Sequence, residues 1–220
     1  MTFSGIPAAA FDFYARLEGD NTKTFWVANK PTYDEAVRGP IIALGEELAE
    51  FGPFHVFRPH NDLRFAKNKP PYKTAQGSFG ESEGGAGHYV QISAEGLMVG
   101  AGYYAMAKDQ LERFRAAVDA DATGVEIASI AAAVVKAGYA VGAIDELKTA
   151  PRGYAKDHPR VDLLRRKGLM ASRSWPVASW MHTAKSVDRI RAAWSDLAPL
   201  CDWLDAQVGP SILPPPDFGR

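Results

Sequence analysis

The chain has 220 residues with 25 basic and 26 acidic side chains, and its formal net charge is −1. This balance excludes a global positive field that would recruit nucleic acid without sequence preference. Cys201 is the single cysteine, which excludes an internal disulfide and a multi-cysteine zinc site and fits a reducing compartment. The sequence shows neither a secretory signal pattern nor an apolar run of membrane-spanning length, so we expect a cytoplasmic protein with no membrane partner.

The first fifty residues show apolar side chains at helical spacing. Residues 7–18 predict a short helix with a proline near its first turn. A second helix is predicted to begin at Thr22 or Asn29 and to end at Phe51. Gly39-Pro40 lies inside it, so we expect an interruption or a kink at that point.

The middle third changes to short alternating segments separated by glycine-rich turns, a pattern that predicts a mainly antiparallel sheet. Strands are expected at Phe54–Arg58, Leu63–Phe65, Gly77–Gly80, His88–Ser93 and Leu97–Tyr104. The connection Ser82–Gly87 is predicted to be a mobile flap. It is not a nucleotide loop, because it lacks the following lysine and the helix that such loops open.

Helical patterns return after Tyr104, with short β segments between them. The capping-box pattern Thr123–Glu126 predicts a helix that ends at Gly138. Later elements are expected as a strand at Tyr139–Val141, a helix from Pro159 to Gly168, a strand pair within Leu169–Trp180, a helix at Ser186–Val208 and a proline-rich surface tail at residues 210–220. We predict an α+β fold in a single domain, residues 1–220. Its central sheet, residues 54–104 with the later strands, is packed by N-terminal and C-terminal helices.

The stretch Arg58–Thr74 concentrates positive charge in a nearly neutral chain. Its basic residues and its single acid are Arg58, Arg64, Lys67, Lys69, Lys73 and Asp62. Arginine offers a planar fork of donors for carboxylate or phosphate, and lysine adds a compact charge, so the combination suits an anion. Two prolines stiffen the chain just before Tyr72. The alternative is an ordinary solvated loop, in which exposed lysines serve solubility alone.

A second polar cluster of the same kind lies between Lys148 and His158. If the two clusters meet in the fold, they form a concave positive site for a phosphorylated or polycarboxylate ligand. The predicted ligand-binding residues are Arg58, Asp62, Arg64, Lys67, Lys69, Tyr72, Lys73, His88, Tyr89, Lys148, Arg152, Tyr154 and His158. In the alternative, each cluster forms structural salt bridges with nearby acids, which are Asp62, Asp145, Glu146 and Asp157.

Several of these residues carry a family resemblance. The pattern Asp62-Leu63-Arg64-Phe65-x-Lys67-x-Lys69-x-Pro71-Tyr72-Lys73-Thr74 is similar to the signature of an uncharacterised, mainly bacterial family, domain of unknown function 2461. Further similarity lies at Phe25-Trp26, Asn29-Lys30, Tyr33, Gly87-His88-Tyr89 and from Leu147 to Pro159. The resemblance spans nearly the whole chain and implies a single α+β domain. It implies no activity, because the family has none established.

The predicted ligand-binding residues favour binding of a phosphate-bearing or other anionic small molecule over any particular reaction. The sequence identifies no cofactor and no oligomeric state. A first alternative is a metal-assisted phosphodiester hydrolase, with Asp62 and Glu81 as ligands and Lys73 stabilising charge. Its partner would be nucleic acid, which the net charge does not support. No side chains stand at the spacing of a known metal motif, so we predict no metal site. A second alternative is a non-catalytic protein that holds an acidic partner.

Overall fold

The structure, a computed structural model, describes residues 2–62 and 69–213. The predicted strand Leu63–Phe65, the candidate residues Arg64 and Lys67, and the tail from residue 214 onward lie outside the described residues. The α-helices are α1 Ala8–Gly19, α2 Lys23–Thr32, α3 Gly39–Glu47, α4 Lys108–Asp119, α5 Asp121–Lys136, α6 Val161–Leu164 and α7 Lys185–Gln207. The strands are β1 Phe54–Val56, β2 Ala75–Glu81, β3 Gly87–Ser93, β4 Gly96–Tyr103, β5 Ala140–Gly142 and β6 Leu169–Pro176.

The strands form one six-stranded antiparallel sheet in the order β1-β2-β3-β4-β6-β5. In the β1–β2 pair, His55 lies opposite Phe79, and in the β5–β6 pair, Val141 lies opposite Ala171. The predicted α+β class, with a mainly antiparallel sheet and helices from both ends of the chain, is confirmed. Within the described ranges, no helix combines the length and the apolar character needed to span a bilayer.

The described chain divides into two compact units. Unit 1 comprises residues 2–62, 69–81, 88–100 and 173–194, and unit 2 comprises residues 82–87, 101–172 and 195–213. The core of unit 1 contains an aromatic group in which the Phe13 ring centroid lies 5.9 Å from that of Trp26 and 5.7 Å from that of Tyr33. In unit 2, Phe114 and Trp203 meet edge to face at 6.3 Å. The expectation of a single domain for residues 1–220 stays a prediction.

The predicted helix kink takes the form of a π-helical turn between α2 and α3. Tyr33–Arg38 is π-helical, and the N–H of Gly39 bonds to the carbonyl of Asp34, five residues earlier. Pro40 has no N–H to donate to the carbonyl four residues before it, so the α-helical bonding pattern cannot continue unchanged here. The interruption at Gly39-Pro40 is therefore confirmed, and Pro40, which lacks a donor, lies directly after the π-helical turn in the first turn of α3.

Three predicted elements in the later part of the chain were wrong in detail, and the predicted helix from Pro159 to Gly168 is only the four-residue α6, Val161–Leu164. Helix α5 begins at Asp121, two residues before the predicted cap Thr123, whose hydroxyl donates to the Ala117 carbonyl at 2.5 Å. A threonine inside the first turn can satisfy an earlier carbonyl in this way instead of capping the helix. The predicted strand pair within Leu169–Trp180 is a single strand, β6. It ends at Pro176, which lacks a ladder donor.

The long helix α7 confirms the predicted apolar stripe near the C-terminus. The stripe residues, all buried, are Val187, Ile190, Trp194, Leu197, Cys201, Leu204 and Val208. Pro199 is accommodated inside the helix. Burial raises the pKa of the Cys201 thiol to about 12, so the thiol stays protonated at neutral pH and acts as a core group.

Asp205 of α7 anchors the glycine-rich loop Ser82–Gly87 within unit 2. Its Oδ1 accepts from the Ala86 N–H at 2.9 Å and from the Tyr103 hydroxyl at 3.0 Å, and its Oδ2 accepts from the Ser82 hydroxyl at 3.2 Å. A Cβ on Gly84 would lie 2.7 Å from Asp205 Cβ, closer than packed atoms can approach. Glycine at this position therefore allows the loop to close over the carboxylate.

We expect Asp205→Ala to lower the free energy of unfolding by about 2–3 kcal/mol, because hydrogen bonds to a carboxylate are lost. Chemical denaturation measures the change, and amide exchange at Ala86 should become faster. Asp202→Ala, on the exposed side of the same helix, is the matched control and should change stability by less than about 0.5 kcal/mol. Equal stability of the two variants would contradict the anchoring role.

Candidate functional site

The strands β1 to β3 carry two chemically different faces within unit 1. Side chains alternate between the faces along a strand, and on β3 His88, Val90 and Ile92 are buried whereas Tyr89 and Gln91 are half-buried. The half-buried side of these strands is called the outer face, and it carries His55, Phe57, Phe79, Tyr89 and Gln91. Aromatic and polar groups therefore lie together on a surface that is only partly covered.

Tyr89 lies across the neighbouring strand β2 at Gly77. A Cβ on Gly77 would lie 2.8 Å from Tyr89 Cζ, so only glycine leaves room for the ring at this point. The Tyr89 hydroxyl donates to Gln91 Oε1 at 2.8 Å, and the ring centroid lies 6.2 Å from that of Phe57. The pairing of glycine with tyrosine thus builds an aromatic surface on the outer face.

Arg58 and Lys73 place positive charge beside this aromatic surface. Lys73 Nζ lies 5.4 Å from the centroid of the Phe57 ring, in a cation–π arrangement. The Arg58 side chain is 67% exposed, and its Nη2 is 3.9 Å from Asp62 Oδ2, which is a long ion pair. Within the described residues no carboxylate forms an ion pair with Lys73. Partial burial, and secondarily the charge of Arg58, lowers the pKa of Lys73.

The segment that carries Lys73 is fastened to the N-terminal helices through Tyr72. The Tyr72 N–H donates to Asn21 Oδ1 at 3.0 Å, and Asn21 Nδ2 donates to the Tyr72 carbonyl at 2.9 Å. The Tyr72 ring is 6% exposed and stacks on Trp26, with 4.3 Å between centroids and 7° between planes. The Lys73 N–H donates to the Pro59 carbonyl at 2.8 Å. The backbone around Lys73 is therefore positioned by the core.

Phe57 is held from the opposite side of the sheet by a buried polar chain. The Tyr33 hydroxyl, at the start of the π-helical turn, donates to Gln76 Oε1 at 2.6 Å. Gln76 Nε2 in turn donates to the Phe57 carbonyl at 2.8 Å, and Gln76 is fully buried. Buried networks with every partner satisfied are rigid. The aromatic ring beneath Lys73 thus has a fixed backbone.

The predicted ligand-binding residues of unit 1 lie partly at the surface and partly in the core. His88 is 7% exposed, and its ring centroid lies 4.9 Å from that of Phe51 and 5.3 Å from that of Trp194, so it packs in the core of unit 1. Lys69 is exposed. Lys73 and Tyr89 lie against the Phe57 ring, and Arg58, the next residue in the chain, forms the long ion pair with Asp62, while Tyr72 and His88 are buried.

The residues of the second predicted cluster belong to unit 2. His158 Nε2 lies 3.2 Å from Asp119 Oδ1, and His158 Nδ1 accepts from the Arg160 N–H at 3.0 Å. Burial, and then the charge of Asp119, raises the pKa of Tyr154. His158 and Tyr154 are therefore both in the neighbourhood of Asp119, at the end of α4.

Lys148 and Arg152 are exposed, and neither forms an ion pair with a carboxylate of the described chain. The acids considered as their partners bind other cations: Asp145 pairs with Lys167 at 2.6 Å, and Glu146 pairs with Arg165 at 3.3 Å. These two acids thus do not neutralise the second cluster. The prediction that both clusters form one composite site stays a prediction.

Two further features of the described chain bear on the predicted ligand: its possible metal-ligating side chains and an open pocket. Across residues 2–62 and 69–213, no group of three or more His, Cys, Asp or Glu side chains is arranged to hold a metal ion. An open pocket of about 290 Å³ in unit 2 is lined by α5 and α7, and its charged residues are Glu126 and Asp202. Two carboxylates repel an anion, so this pocket does not suit the predicted ligand.

Three residues that shape the site were not predicted as site residues: Asn21, Phe57 and Gly77. Gly77 carried a signal, because a glycine within a strand pattern indicates a bulge or the close approach of another group. Phe57 fell within a predicted strand without any mark of its role. Asn21 gave no local signal, because its partner Tyr72 is 51 residues away.

We expect Gly77→Ala to lower the free energy of unfolding by about 1–3 kcal/mol, because the added methyl group overlaps the Tyr89 ring. In a Tyr89→Ala background the same substitution should cost much less. Chemical denaturation of the wild type, both single variants and the double variant gives the coupling energy. Additive effects of the two substitutions would show that the ring does not lie over Gly77.

Comparison with protein-family models matches residues 9–203 to a family described as a conserved hypothetical protein, DUF2461. A search of curated proteins found no match. The matched range includes the outer face, the basic segment and Asn21, so the site described above lies within the shared region. The match covers most of the chain and confirms the family resemblance that the sequence motifs predict. The chain therefore belongs to the DUF2461 family.

Proposed function

We propose that the outer face of unit 1 binds an anionic, phosphate-bearing ligand between Arg58 and Lys73. The observation that carries the proposal is the environment of Lys73. Its ammonium group lies 5.4 Å from the centroid of the Phe57 ring, partial burial and then the charge of Arg58 lower its pKa, and no described carboxylate pairs with it. Two neighbouring cations repel each other, and partial burial weakens the screening by water. A bound anion would offset the repulsion and stabilise the charged ammonium.

The chemistry of the two cations supports this ligand class. The Arg58 guanidinium can form two parallel hydrogen bonds to phosphate or carboxylate oxygens, and Lys73 adds a compact charge. Asp62 is too distant to neutralise Arg58 fully, since the pair is 3.9 Å apart and exposed to solvent. Phe57 and Tyr89 supply an apolar surface for the rest of the ligand. Arg64, predicted as a further cation, lies outside the described residues.

Lys148 and Arg152 belong to unit 2 and are not part of the site proposed on the outer face of unit 1. Both are exposed and without carboxylate partners among the described residues, and their role as ligand-binding residues stays a prediction. We expect Arg152→Gln to leave the affinity of the outer face for an anion unchanged.

We expect inorganic phosphate or phosphorylated metabolites to raise the melting temperature of the wild type. A ligand at a hundred times its dissociation constant stabilises the folded state by about 2.7 kcal/mol. Arg58→Gln should lose this shift, because the fork of donors is gone. Arg38→Gln, an exposed arginine of the same unit, is the matched control and should keep it. No shift of the wild type with any anion would contradict the proposal.

A second measurement reports on Lys73 directly. Partial burial and Arg58 lower its pKa in the free protein, and a bound anion favours the charged ammonium, so the pKa should rise on ligand binding. Nuclear magnetic resonance of ¹³C-labelled lysine follows the titration with and without phosphate. Lys69, exposed in the same segment, serves as the internal reference. A Lys73 titration that phosphate leaves unchanged would place the anion elsewhere.

A further inference from the structure

We infer that unit 1 binds an acidic segment of another protein through Arg173, Trp175, Trp180 and Arg189, which together are called the arginine–tryptophan row. All four residues belong to unit 1. None of them was predicted as a ligand-binding residue, and the inference does not rest on the proposed anion site at Lys73. It concerns an interaction surface that recognises carboxylate side chains.

The four side chains form a continuous series of contacts. The Trp175 and Trp180 rings meet edge to face, with 5.8 Å between centroids and 85° between planes. Arg173 Cζ lies 5.2 Å from the centroid of the Trp175 ring, and Arg189 Cζ lies 4.8 Å from that of the Trp180 ring. Both tryptophans are half-buried, so aromatic surface and positive charge reach solvent at one place. Tryptophan and arginine are enriched among the residues that dominate the binding energy of protein interfaces.

The backbone that carries the two rings is held by contacts within the protein. Trp175 belongs to β6, which pairs with β4 in the sheet. Trp180 lies in a short 3₁₀-helical turn, and the next residue, Met181, is fully buried. The Met181 carbonyl also accepts from the Ile6 N–H at 2.8 Å. A surface that is already ordered loses less conformational entropy on binding, which favours affinity.

Arg189 offers a positive charge that the ring beside it does not neutralise. Its side chain is exposed, and within the described residues no carboxylate forms an ion pair with it. Asp188, the adjacent acid, lies 3.5 Å from Arg191 Nη1 instead. An aromatic ring accepts no strong hydrogen bond, so the Arg189 donors remain available to a carboxylate, with which arginine can form two parallel bonds. The charge of the row is therefore complementary to that of an acidic partner.

The geometry of the rings favours a protein partner over single-stranded nucleic acid. A nucleic-acid platform needs aromatic faces on which successive bases stack. The two rings are nearly perpendicular, and each already has an arginine over it. Val177, which follows Trp175 by two residues in the chain and is 43% exposed, adds an apolar side chain that suits a peptide. The expected partner is therefore an acidic segment with an apolar residue between its carboxylates.

The test screens the full-length protein against a library of short peptides in which glutamate and aspartate flank one apolar residue. Peptides with glutamine and asparagine at the same positions are the controls. Nuclear magnetic resonance of the indole N–H groups locates the binding site. We expect acidic peptides to shift the signals of Trp175 and Trp180, whereas the signals of the other tryptophans, which are buried, stay in place.

Variants distinguish recognition by the row from a general attraction to positive charge. Arg189→Ala should weaken binding of the best acidic peptide at least about fivefold, because the exposed cation is removed. Arg38→Ala, at an exposed arginine of the same unit, is the matched control and should leave the affinity unchanged. Higher salt should weaken the wild-type complex, because exposed charges are screened.

Three outcomes would overturn the inference. In the first, no acidic peptide shifts the signals of Trp175 and Trp180. In the second, the glutamine and asparagine peptides bind as tightly as the acidic ones, or Arg38→Ala loses as much affinity as Arg189→Ala. In the third, oligothymidylate shifts the same two signals and binds more tightly than any acidic peptide, which would assign the row to single-stranded nucleic acid.

Discussion

The clamp between Asn21 and the backbone of Tyr72 is the interaction on which the candidate site depends. Residues 69–74 lie outside the helices and strands, and ordering such a segment costs about 1–2 kcal/mol per residue in conformational entropy. A short antiparallel bridge between His60 and Tyr72 supplies backbone hydrogen bonds on one side. Asn21 supplies one donor and one acceptor to the same residue, and Trp26 covers its ring. These contacts offset part of that cost and set where the Lys73 side chain begins.

Departures from regular structure contribute to the same region of unit 1. The π-helical turn at Tyr33–Arg38 lies directly before Pro40, which has no N–H donor. Tyr33 begins the polar chain that reaches the carbonyl of Phe57 through Gln76. Gly77 has no side chain to pack and therefore weakens its strand, but its missing Cβ leaves the space that the Tyr89 ring occupies. Each departure costs some local stability, and each one positions an aromatic ring near the two cations.

Much of the fold could be predicted from the sequence, because long periodic patterns report on burial directly. The apolar stripe of α7 and the alternation of β3 are examples, and both are confirmed. The start of α5 was wrong because the hydroxyl of Thr123 bonds to an earlier carbonyl, a choice made by local geometry that the residue types do not encode. Charge density identified the segment of Arg58 and Lys73. The contacts that position it join residues distant in sequence, and no periodicity predicts such pairs.

The charge distribution of unit 1 argues for a ligand more strongly than the number of basic residues does. Elsewhere in the same unit, Arg191 meets Glu50 at 2.6 Å, which is the ordinary way in which a protein neutralises a cation at its surface. Lys73 lies over the Phe57 ring instead, and the charge of Arg58 contributes to lowering its pKa, although a carboxylate at a neighbouring position would have stabilised the lysine. Arrangements that lower local stability, such as a cation without a carboxylate partner, occur chiefly where a site must remain available to a partner. Under the proposal of anion binding, a phosphate-bearing ligand is the partner that would supply the missing negative charge beside Lys73.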